Sequence, residues 1–248
     1  MERSEYDKLD RVEDRMWWFA GLHRNLLVLA GWAPLRATNL PIMDAGCGTG
    51  GLLARLAESY ADTAVLGLEL DPEACRRAAL KSTRPVCAGS VNQLPFADGA
   101  FAAIFSADVL CHEGVDERQA LCQFHRCLAE RGRLFLNLPA YRWMMSGHDH
   151  AVCNVRRYTV KGLAKLLQAV GFQPIYMSYW NAFLFPLMMV TRKLSSESAS
   201  AVKLYPGPIN LFCGLTTRVE TALLQAGLRF PFGGSVLAIA EKGGTADS

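Results

Sequence analysis

The sequence predicts an α/β fold built on a doubly wound, mostly parallel sheet of seven strands. Short apolar runs alternate along the chain with segments whose apolar residues recur at helical spacing, and this alternation is typical of parallel sheets. Three glycines, Gly46, Gly48 and Gly50, stand between the first apolar run and the first of these helices. Such a turn brings a ligand against bare backbone at a helix N-terminus. The 248 residues suffice for a single hydrophobic core.

Residues 1–33 are predicted to be helical and to form a lid ahead of the sheet. A charged stretch at 7–15 precedes strongly apolar residues at 16–19, and leucines then recur at helical spacing from Leu22 to Leu29. Because this segment directly precedes the glycine-rich strand, it can fold over a ligand bound there. The alternative is that its aromatic residues only pack on the sheet.

The other core elements follow from apolar runs, caps and breakers. The first strand ends at Asp44, and Asp71 and Thr159 are typical helix N-cap residues. Further strands are predicted at 64–70, 85–88, 101–107, 133–138, 172–178 and 235–241. Helices are predicted at 51–60, 71–82, 116–129 and 159–170. The last strand is expected as a hairpin partner at the edge of the sheet, and residues 140–158 as a long polar loop without structure of its own, which is usually functional or disordered.

Two more helices, at 181–194 and 209–225, are predicted to form an inserted hairpin near the C-terminus. The first of them is rich in phenylalanine, leucine and methionine. Such a hairpin could line an apolar pocket, form a homodimer contact or touch a membrane surface. Ordinary packing of these helices into the core is the alternative.

Composition and charge exclude several classes of protein. The 26 basic and 23 acidic residues leave a net charge of +3 without a basic stripe, so we predict no nucleic-acid partner. The eight cysteines show neither a CxxC pair nor zinc-ligand spacing, so we predict no metal site and a reducing, cytoplasmic location. The charged start is unlike a signal peptide, and the longest apolar stretch, 182–190, is too short for a transmembrane segment.

The acids around the glycine turn distinguish between possible ligands. Gly46, Gly48 and Gly51 also satisfy the dinucleotide fingerprint G-x-G-x-x-G, so the glycines alone are compatible with NAD. A pyrophosphate would be repelled by Asp44, whereas a ligand with an ammonium and a sulfonium would be attracted by it. About twenty residues on, Glu69 ends the second strand, where a carboxylate can accept hydrogen bonds from ribose hydroxyls. These constraints favour S-adenosylmethionine as the cofactor.

Four sequence blocks resemble class I methyltransferases of the type-11/type-12 domain kind. The blocks are DAGCGTGG at 44–51, GLELD at 67–71, LPFADGAF at 94–101 and SADVLCH at 106–112. Their order and spacing match this family over about residues 40–140. The resemblance implies a Rossmann-like sheet, S-adenosylmethionine as the cofactor and methyl transfer as the reaction.

The same resemblance implies how the cofactor is held. Asp44 and the glycines would hold its methionine part and Glu69 its ribose, with Ser90 and Val91 beside the adenine. The predicted cofactor-binding residues are Asp44, Gly46, Cys47, Gly48, Gly50, Glu69, Leu70, Ser90, Val91 and Ser106. Two positions depart from the family, since Ser90 replaces an acid and Ala102 replaces an aspartate. Adenine recognition is therefore expected to rest on the Val91 N–H and the Ser90 hydroxyl.

The chain is interpreted as one domain, 1–248, with four parts. These are the helical lid 1–33, the cofactor-binding core 34–180, the helical insertion 181–230, and the last strand and tail 231–248. The methyl acceptor is predicted to be a small molecule or a peptide-derived molecule that is methylated at N or O.

Histidines are the candidates for a general base, because four of the five fall in segments expected over the mouth of the site. His148 is preferred to His112, with Asp149 as its orienting partner, while a plain hydrogen-bonding role is the alternative for each histidine. The candidate catalytic residues are His148, His112, His23, Asp149 and Tyr158. Arg156, Arg157 and Tyr158 could instead bind an anionic acceptor.

Two other functions stay open at this point. The literal glycine match keeps an NAD-binding oxidoreductase as an alternative. The departures at Ser90 and Ala102 keep a non-catalytic module that binds the cofactor as another.

Overall fold

The computed structural model describes residues 3–32, 39–194 and 205–243, and a seven-stranded sheet forms its centre. The strands are β1 (Ile42–Ala45), β2 (Val65–Glu69), β3 (Val86–Ala88), β4 (Phe101–Ala107), β5 (Leu128–Pro139), β6 (Phe172–Trp180) and β7 (Ser235–Lys242). Their order in the sheet is β3-β2-β1-β4-β5-β7-β6. The pairs from β3 to β5 are parallel, and β7 runs antiparallel to both neighbours. The predicted seven-stranded, mostly parallel sheet is confirmed.

The helices follow the predicted order. They are α1 (Arg3–Val12), α2 (Trp17–Trp32), α3 (Gly51–Ser59), α4 (Pro72–Ser82), α5 (Glu117–Cys127), α6 (Gly147–Ala151), α7 (Val160–Ala169), α8 (Phe185–Leu194) and α9 (Gly207–Gln225). The N-terminal segment is two helices and not one, since the chain leaves the helical path at residues 13–16. The predicted N-caps are present: Asp71 accepts from the N–H groups of Glu73 and Ala74, and Thr159 from that of Gly162.

The position predicted for the last strand is wrong. β7 does pair with β6 as antiparallel strands, but it lies between β5 and β6, so that β6 forms the edge. The reason is visible in its side chains, because residues from Ser235 to Ala240 are all buried. A strand that is apolar on both faces is stabilised in the interior of a sheet and not at its edge.

The core lies on both sides of the central strands. β4 and β5 are apolar along most of their length, and Phe105 and Phe135 stack with ring centroids 4.4 Å apart. β5 is longer than predicted because Leu128 already pairs with Phe101. Burial of this kind is the main favourable term in folding and fixes the strand ends that carry the site.

The loop predicted at 140–158 has local structure of its own. It contains a short 3-10 helix (Arg142–Met144) and the five-residue helix α6. Ser146 and Asp149 form a capping box at the start of α6, in which each satisfies a backbone N–H of the other. The prediction of a structureless loop was wrong because this capping signal was not considered.

Helix α9 packs on α2 and holds the start of the C-terminal insertion. Thr221 donates to the side-chain oxygen of Asn25 over 2.6 Å, which ties α9 to α2. The buried Glu220 accepts hydrogen bonds from the N–H groups of Asn181 (2.7 Å) and Phe183 (2.6 Å). These bonds fix the turn after β6, so α8 starts at Phe185, later than predicted. The predicted joint between α8 and α9 at 195–204 and the tail beyond 243 lie outside the described residues.

The helices also bear on the question of a membrane span. Among residues 3–32, 39–194 and 205–243, no helix is long and apolar enough to cross a bilayer. The longest, α9, has 19 residues and contains the buried Glu220.

We expect Glu220→Ala to destabilise the protein by about 2–4 kcal/mol, because two buried N–H groups would lose their acceptor. Glu220→Gln keeps one acceptor oxygen and should lose less. Urea unfolding measures the difference, and Val219→Ala, at an exposed position of the same helix, is the control and should change stability by less than about 0.5 kcal/mol. Equal stability of Glu220→Ala and the wild type would show that the carboxylate does not hold this turn.

Candidate active site

A cavity of about 770 Å³ opens at the carboxyl ends of the central strands. Its walls include the last residues of β2 and β5 and residues that follow β4 and β6, together with parts of α1, α2 and α6. The chain order of the strands reverses between β1 and β4, and such a switch point is where open α/β sheets bind ligands. The volume lies within the range of small-molecule sites.

The glycine turn forms one wall of this cavity. Gly46 has φ +78°, and a Cβ there would lie 2.3 Å from Cγ2 of Val109. Gly48 also has a positive φ, +56°, and its N–H donates to Oε2 of Glu69 over 2.9 Å. Gly50 has another role, because a Cβ there would meet the backbone of Ala78 in α4 at 2.7 Å. Gly46 and Gly48 therefore shape the cavity wall, and Gly50 permits close packing of helices.

Asp44 is a buried carboxyl group that lines the cavity, and one of its oxygens lacks a hydrogen-bond partner among the described residues. It is only 1% exposed, and its Oδ2 makes no hydrogen bond with the described residues. Burial, followed by the negative charges of Glu69 and Glu13, raises the pKa of Asp44 to about 8. A cation bound beside this group would lower its pKa and satisfy the unpaired oxygen.

Glu69 ends β2 and is held on several sides. Its carboxylate accepts hydrogen bonds from the N–H groups of Gly48 (2.9 Å), Leu70 (2.8 Å) and Asp71 (3.2 Å). It also accepts one from the hydroxyl of Tyr6 in α1 over 3.0 Å. Burial raises the pKa of Tyr6, so its hydroxyl stays protonated and keeps donating. Sequence reasoning missed Tyr6, whose contact with Glu69 spans 63 residues and leaves no local signal.

The other predicted cofactor residues fall into two groups. Cys47, Leu70, Ser90 and Val91 line the cavity together with Asp44, Gly46, Gly48 and Glu69. Ser106 is buried in the sheet, where its hydroxyl donates to the carbonyl of Ala45 over 3.1 Å. Neither Ser106 nor Gly50 is among the cavity-lining residues.

Helix α1, in the segment predicted as a lid, forms part of the cavity wall. Tyr6, Leu9 and Glu13 contribute to the cavity wall. Ion pairs hold the helix to α4: Arg77 pairs with Asp7 (2.6 Å) and Lys81 with Asp10 (2.9 Å) and Glu13. Glu13 also accepts a hydrogen bond from the Thr49 hydroxyl over 2.6 Å. The lid itself stays a prediction.

Three of the candidate histidines line the cavity, namely His23, His112 and His148. Burial lowers the pKa of His23 to about 3 and also lowers that of His112, so both imidazoles are neutral near pH 7. His150 is exposed on α6. His125 packs edge-on against Phe172, with centroids 5.1 Å apart, in agreement with the structural role expected for it.

Asp149 holds the 140–158 loop together. It is fully buried and accepts hydrogen bonds from Nε (2.9 Å) and Nη2 (3.0 Å) of Arg157 and from the N–H of Ser146 (2.8 Å). The prediction made Asp149 the orienting partner of His148. Both of its oxygens accept from Arg157 and Ser146, since a buried carboxylate is stable only when it is paired, and its role as the partner of His148 stays a prediction.

Tyr158 and Arg156 are also engaged in structure. The Tyr158 hydroxyl lies 2.6 Å from Oε2 of Glu117 and 2.9 Å from the carbonyl of Leu110. Arg156 donates to the carbonyls of Leu110, His112 and Val115. Neither residue lines the cavity. All three side chains of Arg156, Arg157 and Tyr158 are paired within the protein, which favours the structural alternative, and their binding of an anionic acceptor stays a prediction.

Asp108 is a cavity-lining residue to which sequence reasoning gave no role. It directly follows β4, has a φ of +56°, and accepts a hydrogen bond from Nδ2 of Asn137 over 3.0 Å. Asn137 in turn accepts one from the indole N–H of Trp180 over 2.6 Å. Burial raises the pKa of Asp108 to about 7. Its place at the carboxyl end of a central strand, like that of Asp44, is the signal that could have identified it.

The ligand-binding groups in this cavity are carboxylates and imidazoles, and they suit an organic cation. Within the described residues, no group of three or more His, Cys, Asp or Glu side chains is arranged to hold a metal ion. Asp44, Glu69 and Asp108 reach the cavity from three neighbouring strands. The unpaired oxygen of Asp44 fits the ammonium of a ligand such as S-adenosylmethionine, and Glu69 fits a ribose.

Comparison with known proteins agrees with this geometry. A family model described as "Methyltransferase domain" matches residues 43–136. The malonyl-[acyl-carrier protein] O-methyltransferase of Herminiimonas arsenicoxydans is 33% identical over 96 residues, which cover 39% of this chain and 36% of that protein. The likeness thus spans only about a third of the curated relative, around the cofactor-binding core.

Solved structures extend the likeness in fold to most of the chain. A protein described as a methyltransferase, in complex with the Trm112 activator of Haloferax volcanii, has a TM-score of 0.62 and 17% identity over 99% of both chains. The geranyl diphosphate C-methyltransferase of Streptomyces coelicolor A3(2), solved with S-adenosyl-L-homocysteine, has a TM-score of 0.57 and 15% identity over 87% of this chain and 76% of that one. The family match thus places a methyltransferase domain at residues 43–136, and the sheet order and the glycine turn agree with the class I, S-adenosylmethionine-dependent fold.

Proposed function

We propose that this chain binds S-adenosylmethionine and transfers its methyl group to a nitrogen or oxygen of a small molecule or peptide-derived acceptor. The observation that carries this proposal is the buried, unpartnered oxygen of Asp44 beside the glycine turn. A buried polar atom without a partner is rare and calls for an explanation. A cationic ligand provides one and stabilises the ionised form of Asp44, whereas the diphosphate of NAD would be repelled by that form.

Each part of the cofactor has residues that suit it. Asp44 and the N-terminal turn of α3 would hold the methionine part, and Glu69 would accept from the ribose hydroxyls. Ser90 and Val91 would lie beside the adenine, in the absence of the acid common in the family. When bound, the cofactor supplies an electrophilic methyl group.

The task of the protein is then to orient the acceptor and to manage its proton. Orientation contributes up to about 7–11 kcal/mol of barrier reduction, and a general base about 10²–10⁴-fold in rate. His148 and His112 stay the candidates for this base, because both line the cavity. The neutral form of His112 is the form that accepts a proton. His23, Asp149 and Tyr158 are better explained as parts of the walls and supports of the site.

Two further functions are tested by the same experiments. An NAD-binding oxidoreductase would bind NADH and leave S-adenosylmethionine unbound. A non-catalytic cofactor-binding module would bind S-adenosylhomocysteine and methylate nothing in a cell extract supplied with labelled cofactor. A cytoplasmic location and a homodimer belong to this proposal only as predictions from the sequence.

Calorimetry with S-adenosylhomocysteine tests the proposal directly. We expect binding to the wild type, no binding of NADH, and at least about tenfold weaker binding to Glu69→Ala, which loses the acceptor for the ribose. The control is Glu58→Ala, an exposed glutamate of α3 that pairs only with Arg55 among its described contacts. Binding of NADH without binding of S-adenosylhomocysteine would refute the proposal.

Binding of S-adenosylhomocysteine should strengthen as the pH rises towards 8. In the free protein Asp44 has a pKa of about 8, so below that pH the carboxyl is mostly protonated and must lose a proton to pair with the ligand's ammonium. Affinity should therefore rise by up to about tenfold per pH unit between about pH 6 and pH 7.5 and level off near the pKa. Asp44→Asn should remove this slope, and Asp108→Asn should keep it. A slope unchanged in Asp44→Asn would assign the titration to another group.

We expect His148→Ala to lower turnover by about 10²-fold or more while the affinity for S-adenosylhomocysteine stays close to that of the wild type. Transfer of label from S-adenosylmethionine to the acceptor recovered from a cell extract measures turnover. His150→Ala, on the same short helix but exposed, is the matched control. Equal turnover of His148→Ala and the control would remove His148 from the reaction.

A further inference from the structure

The cavity has a second end, away from the glycine turn, whose wall we call the acceptor wall. It is formed by Trp17 and Trp18 at the start of α2, by Asn181 after β6 and by Met188 of α8. Trp18 packs against Trp180, with ring centroids 5.9 Å apart, so the start of α2 lies against the end of β6. None of these four residues belongs to the predicted cofactor set, and the inference drawn from them rests on the proposed function.

The charges around the cavity disfavour an anionic acceptor. Among the described cavity-lining residues, Arg157 is the one arginine or lysine, and it is 3% exposed. Its guanidinium donates to both oxygens of Asp149 and, through Nη1, to the carbonyl of Ala140 over 2.8 Å. A carboxylate or phosphate on the acceptor would therefore find this cation already paired.

Several acids face the same space. Asp44, Glu69 and Asp108 line the cavity, and Glu13 and Glu113 add to its wall. Burial keeps the imidazoles of His23 and His112 neutral near pH 7. An incoming anion would thus lose its hydration without an unpaired arginine or lysine, or a charged His23 or His112, among the described cavity-lining residues to compensate it, which is unfavourable in a partly enclosed site.

Two buried polar atoms of the acceptor wall are unpaired. The indole Nε1 of Trp17 and the amide Oδ1 of Asn181 have no hydrogen-bond partner among the described residues. One is a donor and the other an acceptor, and both side chains line the cavity. A buried polar group without a partner raises the free energy of the protein. A ligand that forms a hydrogen bond with each of these two atoms would therefore gain binding free energy from both.

Helix α9 holds both residues in place by their backbones. The N–H of Trp17 donates to Oδ1 of Asn210 over 3.0 Å, and the N–H of Asn181 donates to Glu220 over 2.7 Å. Asn181 has a φ of +59°, a strained conformation for a residue with a side chain. Strain that is maintained by specific hydrogen bonds is a common feature of ligand-binding positions.

Met188 covers the amide of Asn181 and can yield to a ligand. Its sulfur lies 3.0 Å from Nδ2 of Asn181. Methionine is unbranched and adapts readily to irregular contacts, so this side chain can shift when a ligand approaches the amide. Trp18 supplies an apolar surface beside it, which suits a flat or aliphatic body.

We propose that the methyl acceptor is an uncharged molecule in which an apolar body carries a hydroxyl or amide group, recognised by Trp17 Nε1 and Asn181 Oδ1. A hydroxyl or a primary amide both accepts and donates, so one such group can satisfy the unpaired indole N–H and the unpaired carbonyl together. Acceptors with a carboxylate or phosphate at this position are excluded by the paired state of Arg157 and the surrounding acids.

Three probes of equal ring size test the proposal on protein saturated with S-adenosylhomocysteine. They are 2-naphthalenemethanol, 2-naphthamide and 2-naphthoate, with 2-methylnaphthalene as the apolar reference, and their affinities are measured by ligand-observed NMR. We expect the alcohol and the amide to bind at least about tenfold more tightly than the carboxylate. Equal or tighter binding of 2-naphthoate, or no binding of the alcohol and the amide, would overturn the proposal.

Two variants then assign the recognition to the named atoms. Trp17→Phe keeps an aromatic ring and removes the N–H, and Asn181→Gly removes the amide at a position whose positive φ suits glycine. Each should weaken binding of the alcohol about tenfold and leave the affinities for 2-methylnaphthalene and S-adenosylhomocysteine unchanged. Trp143→Phe, at an exposed tryptophan outside the cavity wall, is the control. Alcohol binding by both variants at wild-type strength would refute the assignment.

The affinity for S-adenosylhomocysteine separates this inference from the function on which it rests. A wild type that does not bind S-adenosylhomocysteine contradicts the proposed function itself. A wild type that binds it but does not discriminate between the three probes contradicts only the acceptor class.

Discussion

The hydrogen bonds of the Glu69 carboxylate are the constraint on which the rest of the site depends. Glu69 ends β2, yet it binds the N–H of Gly48 in the turn that follows β1. That bond joins the ends of two neighbouring strands and holds the glycine turn in its left-handed conformation. The same negative charge lies close enough to Asp44 to help raise its pKa. One carboxylate thus fixes the shape of the turn and contributes to the field that makes the cavity attractive to cations.

Local signals in the sequence were sufficient to predict the elements around this constraint. The caps at Asp71 and Thr159 depend on residues no more than three positions away, and both are present in the structure. The four sequence blocks also indicated the strand ends that form the cavity. The interior position of β7 was missed, because it depends on pairing with β5, about a hundred residues away in the chain. Hydrophobic periodicity reports the faces that an element buries, and it does not report which strands become its neighbours.

Side-chain pairing across long separations explains the other differences at the site. The sequence predicts Asp149 as an orienting acid for His148, but it gives no signal of the ion pair with Arg157 that stabilises this buried charge. Tyr6, Trp17 and Asn181 gave no sequence signal, since each acquires its position from a partner that lies more than thirty residues away. Most of the cofactor-binding residues predicted from the sequence line the cavity, because one turn and two strand ends supply them, whereas the acceptor wall, where separate segments meet, was not predicted.

The hydrogen bond between Tyr6 and Glu69 has a consequence for how tightly a ribose can be held. Oε1 of Glu69 already accepts from two backbone N–H groups and from the phenol, so in the proposed mode of ribose binding a sugar diol that uses both oxygens would take the place of the Tyr6 hydroxyl. One neutral O–H donor is then exchanged for another, and the net gain from that bond is small. Tyr6 of α1 would compete with the nucleoside for Glu69. Because α1 belongs to the same chain, the effective concentration of this competitor does not depend on the protein concentration. The binding free energy gained at this carboxylate would be the difference between the ribose contact and the Tyr6 contact. It would therefore depend on the ion pairs that hold α1 on α4 as well as on the sugar.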